Sequence, residues 1–320
     1  MTASPAYHVP VLPDAVVSLL RPVPPGLVVD GTLGGGGHTA LLVDALSADH
    51  HVVGVDQDPD ALEAAGARLA GKNVTFLRGN FRALPALIAR HFGAGAQISG
   101  LLLDLGVSSW QLDAPARGFA IKHPDAPLDM RMDPSGDRPT ARELIEELDE
   151  SELARVLRDL GEVEQAHRVA RALKQAADGG EIVTSGDLSR VLATVQKTPR
   201  HGKIHPATLV FQALRIAVND ELGALDDALS FAPDLLEDGG RLVVIAYHSL
   251  EDRRVKHAFR AGEQGPERPR GLPAPTGWAP TWRAVGKAVT ADDAEIARNP
   301  RARSARLRCA ERAPRPEVAA

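Results

Sequence analysis

The stretch that most constrains the fold runs from residue 28 to residue 43. Two β-branched residues and Asp30 end a predicted strand, four glycines follow from Gly34, and a predicted helix opens at Thr39. Glycine permits a sharp turn and lets a ligand lie against bare main chain. The helix start adds free amides and the positive end of a dipole. The pattern therefore predicts a nucleotide-type cofactor site beyond the first strand of an open α/β sheet, rather than a mobile surface turn.

The spacing of the glycines narrows the choice of cofactor. Dinucleotide loops follow G-x-G-x-x-G, but Thr39 stands three places after Gly36, and no Lys-Ser or Lys-Thr pair of a Walker loop follows. Asp30, Gly34 and Gly36 instead form an acidic-x-x-x-Gly-x-Gly pattern, which looks like the S-adenosylmethionine loop of Rossmann-like methyltransferases. Asp56 ends the next predicted strand about twenty residues past the glycines, where an acidic side chain binds ribose hydroxyls.

The composition suits a globular protein with a large core. The chain has 320 residues, of which 44% are hydrophobic and 25% charged, enough for one large domain or two smaller ones. No apolar run approaches the ~20 residues of a membrane span, and the first ten residues do not resemble a secretory signal. The single cysteine, Cys309, cannot form an internal disulfide. We therefore expect a cytoplasmic protein.

Charge is distributed unevenly along the chain. The net charge of −5 argues against a general nucleic-acid binder. Residues 253–315, however, carry 15 Lys and Arg against 6 Asp and Glu, a net +9 that leaves −14 for the rest. A basic segment on an acidic body suits a phosphate-rich partner contacted on one face. A solvated tail is the alternative on charge alone.

Five predicted strands alternate with predicted helices, as in βαβ units. The strands cover 27–30, 51–55, 73–77, 98–103 and 241–245, and 281–285 and 304–311 are predicted to add an antiparallel edge. The fourth strand is almost continuously apolar, as expected of a central parallel strand buried on both faces. We therefore predict an α/β fold with a Rossmann-like sheet.

Polar residues follow the predicted strand ends, where the chemistry of such sheets is found. Phe81 follows the third strand and could flank an adenine ring or serve as a core aromatic. The fourth strand leads into a cluster that we predict to be the reaction centre, made of Asp104, Ser108, Ser109 and Gln111. The fifth strand leads into a second polar cluster that contains His248.

The βα alternation stops after the fourth strand. A loop rich in Pro, Asp and Arg precedes four predicted helices, at 140–148, 151–160, 162–176 and 185–195. Thr140 with Glu143, and Thr184 with Asp187, have the spacing of capping boxes. We therefore predict a helical domain at 113–203, inserted into a Rossmann-like domain that comprises 1–112 and 204–320.

One long helix is predicted to lead back into the sheet domain, after a basic hinge at 197–206. Its apolar residues fall at three- and four-residue steps and are Phe211, Leu214, Val218, Leu222, Leu225 and Leu229. Arg215 and Asn219 lie off this stripe, four residues apart, and could face the site.

Together these motifs resemble one family, the ribosomal RNA small-subunit (16S) cytosine-N4 methyltransferases, formerly called MraW. The resemblance covers almost the full length, in blocks at 8–12, 30–32, 104–109, 128–133, 204–208, 211–216, 248–253 and 299–304. The chain departs from the family pattern at Leu209, where Arg is usual, at Ala246-Tyr247, where Ser-Phe is usual, and at Trp110, where Pro is common. Leu209 removes a cation from the expected RNA-binding face.

The resemblance implies a reaction, a cofactor and a partner. The expected reaction is methylation of the exocyclic N4 amine of a cytidine in the decoding region of small-subunit rRNA, with S-adenosyl-L-methionine as cofactor. The implied partner is that rRNA or the small ribosomal subunit, with no membrane and no metal, and with monomer and dimer both open. The implied cofactor residues are Gly36, Gly37 and His38 in the loop, Asp56 at the ribose, Phe81 near adenine, and Asp104 and Gln111 beside the methionine end.

The chemistry constrains the catalytic residues. The N4 amine is a poor nucleophile because its lone pair is delocalised into the ring, so an enzyme must orient it and accept its N–H hydrogens. Asp104, with Ser108 or Ser109, suits that role. His248 is the candidate proton acceptor, unless it is a structural histidine of fixed tautomer. Methylation at carbon C5 would need a nucleophilic cysteine, and Cys309, in a predicted edge strand, does not suit it.

Rival functions share parts of this pattern. The same cofactor could serve methylation of DNA or protein, and a non-catalytic ribosome-assembly factor could retain the fold, although two intact strand-end clusters favour catalysis. An NAD-linked oxidoreductase is disfavoured by the missing third glycine.

The sequence does not predict a metal site. The histidines lack zinc-ligand spacing. Asp129 and Asp133 could hold Mg²⁺ but are expected to pair with the arginine between them.

Overall fold

The structure is a computed structural model, and it describes residues 9–195, 206–265 and 278–315. The basic hinge predicted at 197–206 lies almost wholly outside these ranges.

The chain divides into two compact units, Met1–Gly106 with Leu222–Ala320, and Val107–Glu221. The second unit therefore extends beyond the insertion predicted at 113–203 on both sides. Within the described ranges, no helix has both the length and the apolar character needed to cross a membrane.

The first unit begins with alternating helices and strands. Up to Gly106 they are α1 (Pro13–Leu20), β1 (Leu27–Asp30), α2 (Gly37–Ala45), β2 (His51–Asp56), α3 (Pro59–Arg68), β3 (Val74–Arg78), α4 (Leu84–Phe92) and β4 (Ile98–Asp104). The four strands match their predicted positions to within one residue at each end. In β4, Leu101 and Leu103 join the core on one face of the sheet, and Leu102 joins the core on the other. The prediction of a strand buried on both faces is confirmed.

The second unit is helical. Its helices are α5 (Ser109–Asp113), α6 (Ala141–Glu147), α7 (Glu150–Gly161), α8 (Ala166–Asp178), α9 (Ser185–Val195) and α10 (Pro206–Asn219). Helix α10 packs on α7, and its Val210, Phe211 and Leu214 enter the core of this unit. Residues 206–219 therefore belong to the helical unit and not to the sheet domain, where the sequence placed them.

Local sequence signals set the ends of these helices. Thr140 and Glu143 bond each other's amides, as do Thr184 and Asp187, so both predicted capping boxes are confirmed. The helix predicted at 162–176 starts only at Ala166. Glu162 and Gln165 both adopt left-handed backbone, with φ of 51° and 56°, which a helix cannot include.

The remaining elements return to the sheet unit. They are α11 (Glu221–Leu235), β5 (Leu236–Ala246), α12 (Ser249–Gln264), β6 (Trp282–Ala284), β7 (Val289–Thr290), α13 (Asp293–Arg298) and β8 (Arg306–Arg312). The single long helix predicted through residue 229 is wrong, because left-handed Asp220 (φ 50°) separates α10 from α11. The apolar spacing continues across this residue, so periodicity alone does not reveal the break.

The strand order is β3-β2-β1-β4-β5-β8-β6, with β7 also paired to β8. Strands β1 to β5 are parallel, and β8 is antiparallel to β5, β6 and β7. The two antiparallel strands predicted at this end of the sheet are confirmed as β6 and β8. The prediction that the strand of Cys309 is itself an edge strand is wrong, because β8 is paired on both sides. The strand order reverses between β1 and β4. Ligands of open α/β sheets bind beyond the carboxyl ends of the strands at such a point, and here Asp30 and Asp104 end the two strands.

Candidate active site

The glycine loop links the end of β1 to the start of α2. Gly34 and Gly36 have left-handed φ angles of 49° and 72°, a conformation that residues with a side chain rarely adopt. At Gly36 an added Cβ would lie 3.0 Å from Leu69 Cδ1 and 3.2 Å from Ala65 Cβ. The loop therefore requires glycine at these positions. Gly37 and His38 lie in the first turn of α2, where amides have no acceptor within the helix, so they are the candidate donors of the loop.

Asp56, at the end of β2, holds the loop in place. Its Oδ2 accepts the Gly34 amide at 2.8 Å, and its Oδ1 accepts the Asp58 amide at 2.9 Å. Burial raises the pKa of Asp56 to about 6, and these two hydrogen bonds offset only part of the rise. The carboxylate is therefore ionised at neutral pH and takes up a proton as the pH falls through about 6. Asp56 therefore also shapes the loop, in addition to the ribose contact predicted for it.

Phe81 opens a short 3-10 turn directly after β3. Its Cβ lies 3.3 Å from the position that a Cβ on Gly31 would occupy, so the residue sits against the glycine loop. The half-buried ring also packs on the core of the sheet. The alternative of a core aromatic is therefore confirmed, and the position of Phe81 against the loop leaves the other alternative open. Its contact with adenine stays a prediction.

A cluster of charged side chains lies beyond the ends of β1 and β4. Asp30 is only 1% exposed, and it accepts hydrogen bonds from Thr39 Oγ1 at 2.7 Å and from the Thr32 amide at 3.2 Å. His38 is 6% exposed, with its Nε2 3.5 Å from Asp104 Oδ2. The Asp104 amide donates to Thr32 Oγ1 at 2.7 Å. Thr32 therefore connects the ends of two neighbouring strands.

Burial controls the protonation of this cluster. Burial raises the pKa of Asp30, and His38 and the hydrogen bond from Thr39 partly offset the rise. Burial lowers the pKa of His38, but the contact with Asp104 and the charge of Asp30 outweigh it, so the pKa is raised overall. The imidazole of His38 thus lies beside Asp104 and within the field of the buried Asp30. A cation bound beside them would be stabilised electrostatically.

The end of β5 adds a second polar cluster. Asp104 pairs in register with Ile245 between parallel strands, so the two strand ends lie side by side. The Tyr247 hydroxyl donates to Asp104 Oδ1 at 2.7 Å. His248 Nε2 lies 3.1 Å from Oε1 of the buried Glu251, whose Oε2 accepts the Tyr247 amide at 2.8 Å. Tyr247 therefore connects the two strand-end clusters that the sequence singled out.

Ser108 and Gln111 lie in the second unit, where they form a capping box at the start of α5. Ser108 Oγ accepts the Gln111 amide at 3.2 Å, and Gln111 Oε1 accepts the Ser108 amide at 2.9 Å. The Ser-x-x-Gln spacing accounts for this pairing. Their catalytic and cofactor-binding roles stay predictions, and the side chain of Ser109 is outside the described part of the structure.

Arg215 and Asn219 have partners within the second unit. Arg215 Nε lies 2.8 Å from Glu221 Oε1. Asn219 is 4% exposed, and its Nδ2 donates to the carbonyl oxygen of Met130 at 2.8 Å. The sequence placed these two residues off the apolar stripe and suggested a position at the site. The structure instead shows both side chains bound inside the helical unit.

The acidic loop of the second unit is held by an ion pair. Arg131 contacts both carboxylate oxygens of Asp129 at 2.9 Å, and Asp133 accepts the Ser135 hydroxyl at 2.7 Å. The predicted pairing of Arg131 with an aspartate is confirmed. In the three described stretches, no group of three or more His, Cys, Asp or Glu is arranged to hold a metal ion.

Comparison with known proteins identifies the family. The family model described as the MraW methylase family matches residues 5–313. The chain belongs to this family. As a family member, this methylase is a methyltransferase with a Rossmann-like α/β sheet.

Two relatives of this methylase carry the name ribosomal RNA small subunit methyltransferase H. The Geotalea daltonii protein is 48% identical over 310 residues, which cover 95% of this chain and 98% of the relative. The Heliobacterium modesticaldum protein is 47% identical over 316 residues, which cover 96% of this chain and 98% of the relative. The similarity therefore spans both units of the methylase.

Sequence reasoning about this methylase missed two residues of the site. The sequence places Tyr247 in the polar cluster after the fifth strand and among the departures from the family pattern, but it gives no role to this residue, which directly follows β5, the neighbour of β4. The sequence places Glu251 in the same cluster, also without a role, although Glu251 stands three residues after His248, on the first turn of α12. The sequence signal that points to both residues is their short distance from the end of the fifth strand.

Proposed function

We propose that this methylase transfers a methyl group from S-adenosyl-L-methionine to the exocyclic N4 amine of a cytidine in the decoding region of small-subunit (16S) rRNA, in the cytoplasm. The observation that carries the proposal is Asp104, a carboxylate held at the carboxyl end of β4 beside the glycine loop. The names of the relatives support rRNA as the substrate. The N4 position and the decoding region rest on the family resemblance of the sequence.

S-adenosyl-L-methionine suits the loop and the charges around it. Its sulfonium and ammonium groups are cationic, and Asp30 and Asp104 place two carboxylates beside the loop. The amides of Gly37 and His38, at the start of α2, suit the carboxylate of the methionine moiety. Ionised Asp56 suits the ribose hydroxyls.

The reaction assigns a task to each side chain. When bound, S-adenosyl-L-methionine supplies a methyl group on a positively charged sulfur. Asp104 Oδ2 accepts an N–H hydrogen of the amine, which returns electron density to the nitrogen as positive charge develops there. His248, held against Glu251, accepts the proton that the nitrogen releases. Orientation of the amine by Asp104 contributes as much as its charge.

An exposed basic face of α12 supports a nucleic-acid substrate. Arg253, Lys256, His257 and Arg260 are all exposed, and their spacing of three and four residues places them on one side of the helix. Helix α12 begins directly after His248. A row of basic side chains that starts near the strand-end cluster suits a phosphate backbone. DNA would suit this face equally, so the product must be identified.

The deciding experiment is methyl transfer from labelled S-adenosyl-L-methionine to small ribosomal subunits that lack the modification, followed by nucleoside analysis. We expect N4-methylcytidine in the small-subunit rRNA. Label in DNA or protein instead would show the same cofactor chemistry with another substrate. Cofactor binding without transfer to any of these polymers would favour a non-catalytic assembly factor.

Cys309→Ser is expected to leave the rate of methyl transfer unchanged. Cys309 is buried in β8, and burial raises the pKa of its thiol to about 12. The thiolate needed for attack on a pyrimidine ring is therefore absent at neutral pH. Single-turnover rates of the two proteins make the comparison, with circular dichroism to confirm folding. A folded but inactive variant would favour methylation at C5 over methylation at N4.

Affinity for the cofactor is expected to fall about tenfold from pH 7 to pH 5, because protonation of Asp56 competes with binding. The pKa of Asp56 is raised to about 6, so its ionised form prevails at pH 7 and its protonated form at pH 5. Calorimetric titration with S-adenosylhomocysteine measures the change. Asp56→Asn should bind weakly at both pH values, with a shallower dependence. Equal wild-type affinities at pH 7 and pH 5 would contradict the role of Asp56.

A further inference from the structure

We propose that Tyr247 is a positioning residue for methyl transfer: its hydroxyl engages Oδ1 of Asp104 and so leaves Oδ2 for the reacting amine. The inference rests on the role proposed above for Asp104. It concerns a residue to which the sequence assigns no role.

Three elements fix Asp104. Its amide donates to Thr32 Oγ1 at 2.7 Å, its Oδ1 accepts the Tyr247 hydroxyl at 2.7 Å, and its Oδ2 lies 3.5 Å from His38 Nε2. The last distance exceeds that of an ordinary N–H···O hydrogen bond. Of the two contacts to the carboxylate oxygens, the one from Tyr247 is therefore the short one. Without it, rotation about χ2 would spread the two oxygens over many orientations.

The sheet places Tyr247 for this task. Tyr247 follows β5, which runs parallel to β4 and pairs with it in register at Asp104 and Ile245. Its own amide donates to Glu251 Oε2 at 2.8 Å, which fixes the backbone at the strand end. The phenol therefore approaches Asp104 from a rigid neighbour and not from a loop.

The hydroxyl stays protonated and so stays a donor. Burial raises the pKa of Tyr247 well above 10, and Asp104 and then Glu251 raise it further. Arg301 lowers it by less. A hydrogen bond from a neutral phenol to an ionised carboxylate is stronger than one between neutral groups.

Tyr247→Phe removes the hydroxyl and keeps the ring. The ring packs on the core of the sheet unit and is unchanged in this variant, so we expect the variant to fold. In single turnovers at saturating RNA, we expect the maximal rate to fall about tenfold, while half-saturation by S-adenosyl-L-methionine changes little. A general structural defect would change both, together with the unfolding midpoint. Ser18→Ala, which removes an exposed hydroxyl bonded to the Ala15 carbonyl, is the control.

A double-mutant cycle tests whether Tyr247 acts through Asp104. If it does, Tyr247→Phe has little further effect in an Asp104→Ala background, which leaves the hydroxyl no side-chain acceptor at position 104. Full additivity of the two losses would overturn the proposal, as would an unchanged rate in Tyr247→Phe alone.

A spectroscopic test does not depend on activity. The chain has two tyrosines, Tyr7 and Tyr247, so 13Cζ-tyrosine labelling gives two resonances, which Tyr247→Phe assigns. We expect Tyr247 to titrate at higher pH than free tyrosine, and Asp104→Asn to lower that titration because the neighbouring charge is lost. No change with Asp104→Asn would overturn the hydrogen bond. If the wild type transfers no methyl group, the proposed function fails, and this measurement still decides whether the contact exists.

Discussion

Asp104→Ala is expected to lower the single-turnover rate of methyl transfer by at least about a thousandfold, the combined effect of losing a charge-stabilising acceptor and the orientation it gives. Asp104 ends β4, its amide donates to Thr32 after β1, and its carboxylate contacts His38 at the start of α2 and Tyr247 after β5. Rates are measured at saturating cofactor, so that any loss of cofactor affinity is separated from the loss of chemistry.

Two further variants sharpen the measurement. Asp104→Asn has nearly the same shape and keeps one acceptor oxygen, so its rate should fall between those of the wild type and Asp104→Ala. Asp44→Asn is the matched control, because Asp44 is an exposed carboxylate whose partner is Lys72. We expect the control to react at the wild-type rate. Asp104→Ala at wild-type rate, with confirmed folding, would remove Asp104 from the mechanism.

Asn219→Ala is expected to lower the free energy of unfolding of the second unit by about 3 kcal/mol, a value typical of a buried side chain that satisfies several backbone groups. Asn219 Oδ1 accepts the Met132 amide at 2.7 Å, and Nδ2 donates to the carbonyl oxygens of Met130 and Arg215 at 2.8 Å. In the alanine variant, these three backbone groups lose their hydrogen bonds to the buried Asn219 side chain. Urea unfolding followed by hydrogen exchange at the Met132 amide reports the loss.

The control for this prediction lies on the same helix. Thr208 is exposed on α10, so Thr208→Ala should change the free energy of unfolding by no more than about 0.5 kcal/mol. A loss below about 1 kcal/mol in Asn219→Ala would mean that water or local rearrangement replaces the hydrogen bonds. The methylase motif at 128–133 would then not depend on Asn219 for its conformation.

The structure explains why that motif needs support. Met130 is fully buried, yet it has left-handed backbone with φ of 63°, which is costly for a residue with a side chain. Asn219 bonds the carbonyl of Met130 and the amide two residues later, and Met130 N donates to the Arg117 carbonyl. The side chain that could have faced the site therefore holds a strained turn of the helical unit.

The parts that the sequence predicted well are those governed by local rules. Strands β1 to β4 follow from short apolar runs bounded by polar residues, and the capping boxes at Thr140 and Thr184 follow from one hydroxyl and one carboxylate three residues apart. The glycine loop follows from positive φ angles that glycine tolerates. Each of these depends on neighbours within a few positions.

The parts that the sequence missed depend on single residues or distant partners. Left-handed Asp220 ends a helix without disturbing its apolar period. The position of β8 between β5 and β6 depends on pairing that local patterns do not encode. The contact between Tyr247 and Asp104 joins residues 143 positions apart. Contacts of this kind can be predicted only when the strand order and register of the whole sheet are known.

The position of β8 has a consequence for the newly made chain. β5 bonds β4 on one side and β8 on the other, but β8 starts only at Arg306, well after β5 ends at Ala246. Until the ribosome has made residues 306–312, β5 has an open edge that can pair with another chain. The sheet is therefore closed on this side only once β8 has been made, and chains that lack β8 are exposed to aggregation.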